Sequence, residues 1–223
     1  MFGLIPASGH ATRFNSIPKF ALPYNKSGES LLGCHVRKMK KYCEKVVVST
    51  TSVWKDLLIS FDLDIEIMII EPSTMNNALL GMANQFVAEE YLIGMADTYY
   101  EGQNPYSQLS AMLIENSITI ACWRIDQELK GRVGQVKLIN NRILDVIDKV
   151  ESCDYPHMWG AIGYKRKNLL SIDKDNSHLG IDLLNQLKNN KDDHYAFEVQ
   201  GEYFDVGNLA GFKKLLQKTD FGE

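Results

Sequence analysis

The sequence predicts a three-layer α/β fold built on a mixed but mostly parallel sheet. Two observations indicate it. Short apolar runs alternate with helical patterns through residues 1–125, which is typical of a parallel sheet covered by helices on both faces. After residue 130, closely spaced extended segments around Asn140 and Asn141 indicate a hairpin, so the second half adds a small β-rich elaboration.

The elements follow from composition and period. Three consecutive valines at 46–48 and the isoleucines at 65, 67, 69 and 70 are strong strand signals. Strands are predicted at 2–7, 45–49, 64–70, 91–95, 118–123, 133–139, 143–149, 159–164, 195–200 and 203–204. Helices are predicted at 30–41, 52–60, 75–88, 105–116, 181–189 and 209–217.

Composition limits the class of protein. The 223 residues fit one domain, 1–223, with enough chain to bury a large core. A net charge of -4 argues against a nucleic-acid partner, which usually meets a basic surface. The four cysteines (Cys34, Cys43, Cys122 and Cys153) have no CxxC spacing, so we expect reduced, packed thiols in a cytoplasmic protein. No apolar run is long enough to span a membrane, and the first residues lack a signal peptide pattern.

The loop after the first strand has the chemistry of a phosphate site. Small residues let backbone N–H groups approach an anion, and Arg13 and Lys19 supply two cations. A surface loop with two solvated cations would look similar. The spacing matches neither a Walker A motif nor GxGxxG. The candidate nucleotide-binding residues of this loop are Ala7, Ser8, Gly9, His10, Ala11 and Thr12.

This loop resembles the signature of the nucleotidyltransferases that make sugar nucleotides. Residues 6–13 read P-A-S-G-H-A-T-R and are followed by Ile17-Pro18-Lys19, where the family has A-A-G-x-G-T-R and then P-K. The resemblance implies a GT-A-type, Rossmann-like fold, with Arg13 holding a triphosphate and Lys19 acting at the reacting α-phosphate. Ala11 replaces the second glycine of the pattern. The leading proline also occurs in related cytidylyltransferases.

Two aspartates are candidate metal ligands. Asp97 follows an apolar strand, and Asp205 lies in Phe204-Asp205-Val206-Gly207-Asn208, before a helix. Aspartate at such positions is most often a cap or turn residue. The family, however, has metal-binding aspartates in this order and context, so the resemblance implies that Asp97 and Asp205 bind Mg²⁺. Magnesium typically takes one or two carboxylates together with substrate phosphates.

Other segments fit the same family more loosely. Glu71 with Pro72 matches the loop that reads the base, and Asn76 or Asn77 could discriminate bases because amides both donate and accept. Residues 146–150 resemble the V-x-E-K-P strand end, which implies that Lys149 contacts an acceptor phosphate and Asp148 a sugar hydroxyl. Gly160 lies in a segment that resembles the strand lining the acceptor pocket.

The resemblance spans residues 3 to about 216 and implies a function. An NTP and a small phosphorylated acceptor, most simply a sugar 1-phosphate, would be the partners, with residues 1–125 binding mainly the nucleotide and 126–223 mainly the acceptor. Two alternatives stay open: a cytidylyltransferase acting on phosphocholine or a polyol phosphate, and a non-catalytic nucleotide-binding protein. We expect no nucleic acid or membrane partner, and a homo-oligomer is compatible with the sequence.

Overall fold

The protein is described from a computed structural model, which covers residues 1–9, 17–71, 74–176, 178–189 and 194–219. The strands in these ranges are β1 Phe2–Pro6, β2 Lys45–Thr50, β3 Glu66–Ile69, β4 Glu90–Ile93, β5 Thr98–Tyr100, β6 Ile118–Arg124, β7 Gly134–Ile139, β8 Arg142–Asp148, β9 His157–Lys165, β10 His194–Glu198 and β11 Tyr203–Asp205. The helices are α1 Leu31–Met39, α2 Lys55–Ser60, α3 Met75–Gln85, α4 Pro105–Met112, α5 Arg166–Leu169, α6 Leu179–Asn189 and α7 Leu209–Lys218. Short 3₁₀ turns occupy Lys19–Ala21, Ser52–Trp54 and Gln127–Leu129.

The main sheet is mixed but mostly parallel, as predicted. Its strand order is β10-β6-β9-β4-β1-β2-β3, and the β7–β8 hairpin joins it through β9. Strands β4, β1, β2 and β3 run parallel to their neighbours in this group, whereas β9 is antiparallel to both β4 and β6. The loops that follow β1 to β4 therefore share one edge of the sheet, which is where ligands bind in open α/β sheets.

Two apolar cores cover the two faces of the sheet. Successive residues of β1 point to opposite faces, so Leu4 packs in one core and Ile5 in the other. The core around Leu4 includes α3 and α6, and the core around Ile5 includes α1 and α4. Burial on both faces explains why the strand sequences are nearly continuous apolar runs. The predicted three-layer arrangement is confirmed.

The predicted hairpin is also confirmed. Asn140 and Asn141 connect β7 to β8, and both have positive φ angles, 50° and 61°. Asparagine tolerates this conformation better than most residues, which is why the Asn-Asn pair marks the turn. The turn reaches the edge of the main sheet, because the backbone N–H of Ala196 donates to the carbonyl oxygen of Asn141 at 2.8 Å.

A second, two-stranded sheet consists of β5 and β11, and the sequence did not predict β5. The pair is antiparallel, with Thr98 opposite Asp205 and Tyr100 opposite Tyr203. Tyr100 anchors it to the main sheet: its ring stacks on Trp123 at 4.7 Å between centroids, and its hydroxyl donates to the carbonyl oxygen of Gly160 at 2.5 Å. We call these two strands the ribbon.

The sequence also did not predict the short helix α5, Arg166–Leu169, and two predicted helices end early. The helix predicted at 75–88 ends at Gln85, and the helix predicted at 105–116 ends at Met112. The four cysteines are free and buried, as expected. Across the described ranges, no helix combines the length and the apolar character that crossing a membrane would require.

His35 supports the ribbon from α1. Its Nε2 lies 2.8 Å from the carbonyl oxygen of Thr98, so Nε2 carries the proton and donates, while Nδ1 accepts from the hydroxyl of Tyr106 at 2.9 Å. The ring is 2% exposed. Burial, assisted by the charge of Lys38, lowers the pKa of His35 to about 4, against the pull of its bond to Thr98 and of Asp97.

This burial predicts a loss of stability in acid. Because the pKa of His35 is about 4 when folded and 6.5 in its ordinary state, the unfolded chain takes up the proton first as the pH falls. The free energy of unfolding should drop by about 2 kcal/mol from this group between pH 7 and pH 5. In His35→Gln, which keeps a donor for Thr98, this part of the pH dependence should vanish in urea unfolding curves. Equal pH slopes in the two proteins would contradict the assignment.

Candidate active site

The ribbon brings the two candidate metal ligands together. Asp205 closes β11 opposite Thr98, and the backbone N–H of Val206 donates to the carbonyl oxygen of Asp97 at 2.9 Å. Asp97 and Asp205, 108 positions apart in the chain (205 − 97), are thus neighbours across two paired strands. Their side chains are 37% and 18% exposed.

Each of the two carboxylates is paired with a cation. Nζ of Lys19 lies 2.5 Å from Oδ2 of Asp97, and a guanidinium nitrogen of Arg132 lies 3.0 Å from Oδ2 of Asp205. The other oxygen of Asp205 accepts the backbone N–H of Gly207 at 2.8 Å, which fixes the orientation of the carboxylate. Two acids and two cations therefore face each other at the carboxyl edge of the sheet, where the predicted Lys19 meets the predicted Asp97.

Asp97, Asp205 and Arg132 line a cavity of about 550 Å³, and Lys19 reaches it through its ion pair with Asp97. Four predicted site residues lie in its wall: Asp97, Asp205, Asp148 and Lys149. The size falls within the range of small-molecule sites. Burial holds the pKa of the Tyr203 phenol well above its ordinary value, so this lining ring stays neutral and the charge of the cavity comes from its acids and bases. The cavity spans residues from both halves of the chain.

The far end of the cavity is built by the end of β8 and the start of α6. Asp148 is the last residue of β8, and Lys149 follows it with a φ of 56°. Nδ1 of His178 lies 3.2 Å from Oδ2 of Asp148 and 3.3 Å from Nζ of Lys149. A positive φ at a lysine is unfavourable, and such strain is common at functional sites.

Gly160 lies beside the cavity, under the ribbon. A Cβ atom at this position would come within 2.5 Å of the Tyr203 ring and 2.8 Å of the Trp123 ring. The glycine therefore lets these rings pack on β9, and its carbonyl oxygen holds the hydroxyl of Tyr100. Trp159, its neighbour in β9, is the residue that lines the cavity.

The predicted phosphate loop is described only in part. Ala7 follows β1, and its backbone N–H donates to the carbonyl oxygen of Ser49 at 2.9 Å. Ser8 is buried and Gly9 is exposed. The remaining predicted residues of this loop lie outside the described residues: His10, Ala11, Thr12 and Arg13.

The residues predicted to contact the base differ in burial: one is buried in the protein, and two are exposed to solvent. Asn76 is fully buried, and its Nδ2 lies 2.5 Å from Oδ2 of Asp182 and 2.9 Å from the carbonyl oxygen of Asp173. Glu71 and Asn77 are exposed. Of the two asparagines, Asn77 is the one whose side chain is open to a ligand, while Asn76 ties α3 to α6.

Two basic residues of the cavity wall were missed by the sequence analysis. Arg132 lies in the turn before β7, and His178 lies immediately before α6. The only feature of the sequence that could have indicated Arg132 is its position directly after Gly131. A glycine followed by a basic residue is common in surface turns, so this feature is not specific. Neither residue belongs to a motif, because their partners Asp205 and Asp148 are distant in the chain.

The donor set fits a magnesium ion. Asp97, immediately before β5, and Asp205, at the end of β11, offer carboxylate oxygens, and hard oxygen ligands are what Mg²⁺ prefers. Within the described ranges, no group of three or more His, Cys, Asp or Glu side chains could hold a metal. A magnesium ion typically completes its shell with water and substrate phosphates, so two carboxylates are sufficient.

The comparisons with known proteins identify the fold. No family model matches the sequence, and no curated protein matches it. Solved structures do match. A UDP-glucose pyrophosphorylase in complex with UDP-glucose has a TM-score of 0.81 and 17% identity, over 97% of each chain. A protein assigned as a glucose-1-phosphate thymidylyltransferase from Bacillus anthracis has a TM-score of 0.80 and 14% identity, over 96% of this chain and 94% of that one.

A third structure, HddC from Yersinia pseudotuberculosis, has a TM-score of 0.75 and 18% identity, over 97% of this chain and 98% of that one. These neighbours are sugar-phosphate nucleotidyltransferases, and the described chain has their fold across almost its whole length. The resemblance found in the sequence is therefore confirmed at the level of the fold. Because the sequence identities are low, the comparisons establish the fold only. The chemistry has to be inferred from the residues of the cavity.

The conformation of Lys149 predicts an unusual response to glycine. Lys149→Gly relieves the strain of a left-handed non-glycine residue, about 1–2 kcal/mol. This gain equals or exceeds the entropic cost of glycine, about 0.5–1 kcal/mol. The free energy of unfolding in urea should stay constant or rise by about 1 kcal/mol. Lys137→Gly, at an exposed position of β7, is the control and should lose about 0.5–1 kcal/mol. Equal losses in both variants would contradict strain at Lys149.

Gly134 predicts a steric effect on the cavity wall. A Cβ atom at this position would lie 2.0 Å from Nε1 of Trp159, so Gly134→Ala must displace the indole. Overpacking of this kind costs about 1–3 kcal/mol, which urea unfolding would measure. Gly9→Ala is the stability control, because no described atom lies within 4 Å of its Cβ position. A Gly134→Ala protein as stable as the control would show that Trp159 moves freely.

Proposed function

We propose that the protein is a magnesium-dependent nucleotidyltransferase that joins the NMP part of an NTP to a sugar 1-phosphate and releases pyrophosphate. One observation carries the proposal: Asp97, Asp205, Asp148 and Lys149, chosen from the sequence for separate roles, line the same 550 Å³ cavity. The cavity opens at the carboxyl edge of a sheet with the fold of sugar-phosphate nucleotidyltransferases. Residues of both halves of the chain contribute to it.

The reaction forms one bond and breaks one bond. An oxygen of the acceptor phosphate attacks the α-phosphorus of the NTP, and the bond between the α-phosphorus and the bridging oxygen to the β-phosphate breaks. The oxygen leaves with pyrophosphate. The attacking group is already an anion, so no general base is required, and catalysis rests on alignment and on neutralising charge.

The residues of the chain divide this work by position. Lys19, whose ammonium group lies beside Asp97, is assigned to the charge that develops at the α-phosphate, and Arg13 to the leaving pyrophosphate. Lys149, at the far end of the cavity, is assigned to the acceptor phosphate. Asp97 and Asp205 would hold the magnesium ion, which supplies Lewis-acid neutralisation of phosphate charge when bound.

The ion pairs of the cavity support this division. Lys19 and Arg132 neutralise the two aspartates, so the protein alone carries no excess negative charge at the site that would repel a triphosphate. Glu71 and Asn77 are exposed at the neighbouring strand end, where they are available to the base. An NTP would thus lie along the edge of β1 to β4, with the acceptor under the β7–β8 hairpin.

Pyrophosphate release tests the function directly. The purified protein is incubated with magnesium, each NTP in turn, and sugar 1-phosphates, phosphocholine or polyol phosphates. We expect release with one NTP and a sugar 1-phosphate, abolished by a chelator and restored by magnesium. Release of pyrophosphate only with phosphocholine or a polyol phosphate would show that the acceptor is not a sugar 1-phosphate. Binding of an NTP without pyrophosphate release from any pair would overturn the enzymatic function.

Asp205→Asn tests the metal assignment. The amide can still accept from Gly207 but lacks the charge, so we expect turnover to fall by about a hundredfold or more while the melting temperature changes little. Asp154→Asn is the matched control, since Asp154 pairs with Lys130 at 2.7 Å outside the cavity. Wild-type turnover in Asp205→Asn would remove Asp205 from the metal site.

A further inference from the structure

The acceptor end of the cavity contains a histidine that no sequence motif assigns. His178 precedes α6 and lines the cavity together with Asp148 and Lys149. Its Nδ1 lies 3.2 Å from Oδ2 of Asp148 and 3.3 Å from Nζ of Lys149. The three side chains come from two separate segments, the end of β8 and the start of α6. We call these three residues the acceptor cluster.

Lys149 determines which ring nitrogen of the histidine carries the proton. An ammonium group only donates hydrogen bonds, so its contact with Nδ1 makes that nitrogen the acceptor and leaves the ring proton on Nε2. The carboxylate of Asp148 lies beside the same edge of the ring: its side chain is 12% exposed, and it packs against Gly180, where an added Cβ would lie 3.4 Å from the Cβ of Asp148. Nε2 is therefore the ring nitrogen that can donate to a ligand in the cavity.

Lys149 approaches the same point from a strained backbone. Its φ of 56° is a conformation that lysine rarely adopts, and its backbone N–H is 3.3 Å from the carbonyl oxygen of Val133. This conformation places the ammonium group beside the ring of His178. Strain of this kind persists where the surrounding structure requires the side chain in one place.

We propose that His178 is a second ligand of the acceptor's phosphate group, beside Lys149. The proposal rests on the proposed function and deepens it. The ammonium group of Lys149 and the Nε2–H of His178 supply two hydrogen-bond donors at one end of the cavity, which suits the oxygens of a phosphomonoester. The acceptor cluster would recognise the phosphate group of the acceptor, and other residues would bind the rest of the molecule.

His178→Ala is the direct test. With glucose 1-phosphate as the acceptor probe, we expect the KM for the acceptor to rise about tenfold or more, because a charge-assisted hydrogen bond is lost. The KM for the NTP should stay within about twofold and kcat within about threefold. His178→Gln, which retains an N–H donor, should recover part of the loss. A purely structural role would not separate the two KM values in this way.

A second acceptor distinguishes phosphate recognition from sugar recognition. If His178 binds the phosphate, His178→Ala should raise the KM by a similar factor for every phosphomonoester that the wild type uses, for example glucose 1-phosphate and galactose 1-phosphate. An effect confined to one sugar would place His178 at a hydroxyl group and overturn the proposal.

Lys149 supplies the remaining test. His178→Ala and Lys149→Ala should combine to less than the product of their separate effects, because both side chains bind one group. A fully multiplicative double variant would indicate two independent contacts and contradict the proposal.

His157→Ala is the matched control. His157 pairs with Glu198 at 3.0 Å, a histidine–carboxylate contact like that of His178, but it does not line the cavity. We expect an unchanged acceptor KM at a temperature well below the unfolding midpoint of every variant. A rise equal to that of His178→Ala would show that the effect is structural.

The result separates this inference from the proposed function. Wild-type turnover with an unchanged acceptor KM in His178→Ala would overturn the inference alone. If the wild type turns over no pair, line broadening of the ³¹P signal of glucose 1-phosphate by the protein still measures binding, and its loss in His178→Ala would support the inference without the reaction. Neither turnover nor binding in the wild type would overturn both.

Discussion

Three backbone pairs between β5 and β11 hold the site together, with Tyr203, Phe204 and Asp205 opposite residues 100, 99 and 98. Neither strand is long enough to be stable alone, so the ribbon depends on what lies beneath it. Stacking of Tyr100 on Trp123 fixes it to the main sheet, and the buried, neutral ring of His35 holds the carbonyl oxygen of Thr98. The placement of both candidate metal ligands follows from this support, because a shift of either strand would separate them.

Each acidic side chain of the cavity lies beside a basic one. An acidic protein can therefore present a site that does not repel the anionic ligands proposed for it. The chain carries a net charge of -4, yet Lys19, Arg132 and Lys149 are concentrated around the cavity carboxylates. Each pair has solvent-accessible members, so the cations can turn to incoming phosphates at small cost. Two of these pairs lie at the ribbon, and the acceptor cluster lies across the cavity. This arrangement would let the two substrates of the proposed reaction bind at the two charged ends of one cavity.

A buried polar network joins α3, in the first half of the chain, to α6, in the second half. Asp182, near the start of α6, accepts from Asn76, from Asn176 and from the backbone of Asp173. Asn76 was chosen from the sequence as a candidate base reader, and its amide serves this network. Buried hydrogen bonds of this kind are costly to break, so the start of α6, with His178, is fixed relative to α3. The geometry of the acceptor cluster therefore depends on residues that line neither end of the cavity.

Sequence alone determined the α/β class, the mostly parallel sheet and the β7–β8 hairpin, because apolar period and Asn-Asn turn chemistry are local properties. It also determined which strand ends carry Asp97, Asp148, Lys149 and Asp205, since motif residues are contiguous in the chain. Only the tertiary structure decided the pairing of β5 with β11, the contacts of Arg132 and His178, and the inward turn of Asn76. These features depend on partners tens of residues away or more, and the free energy that fixes them comes from packing and long-range hydrogen bonds, which leave no pattern in a short stretch of sequence.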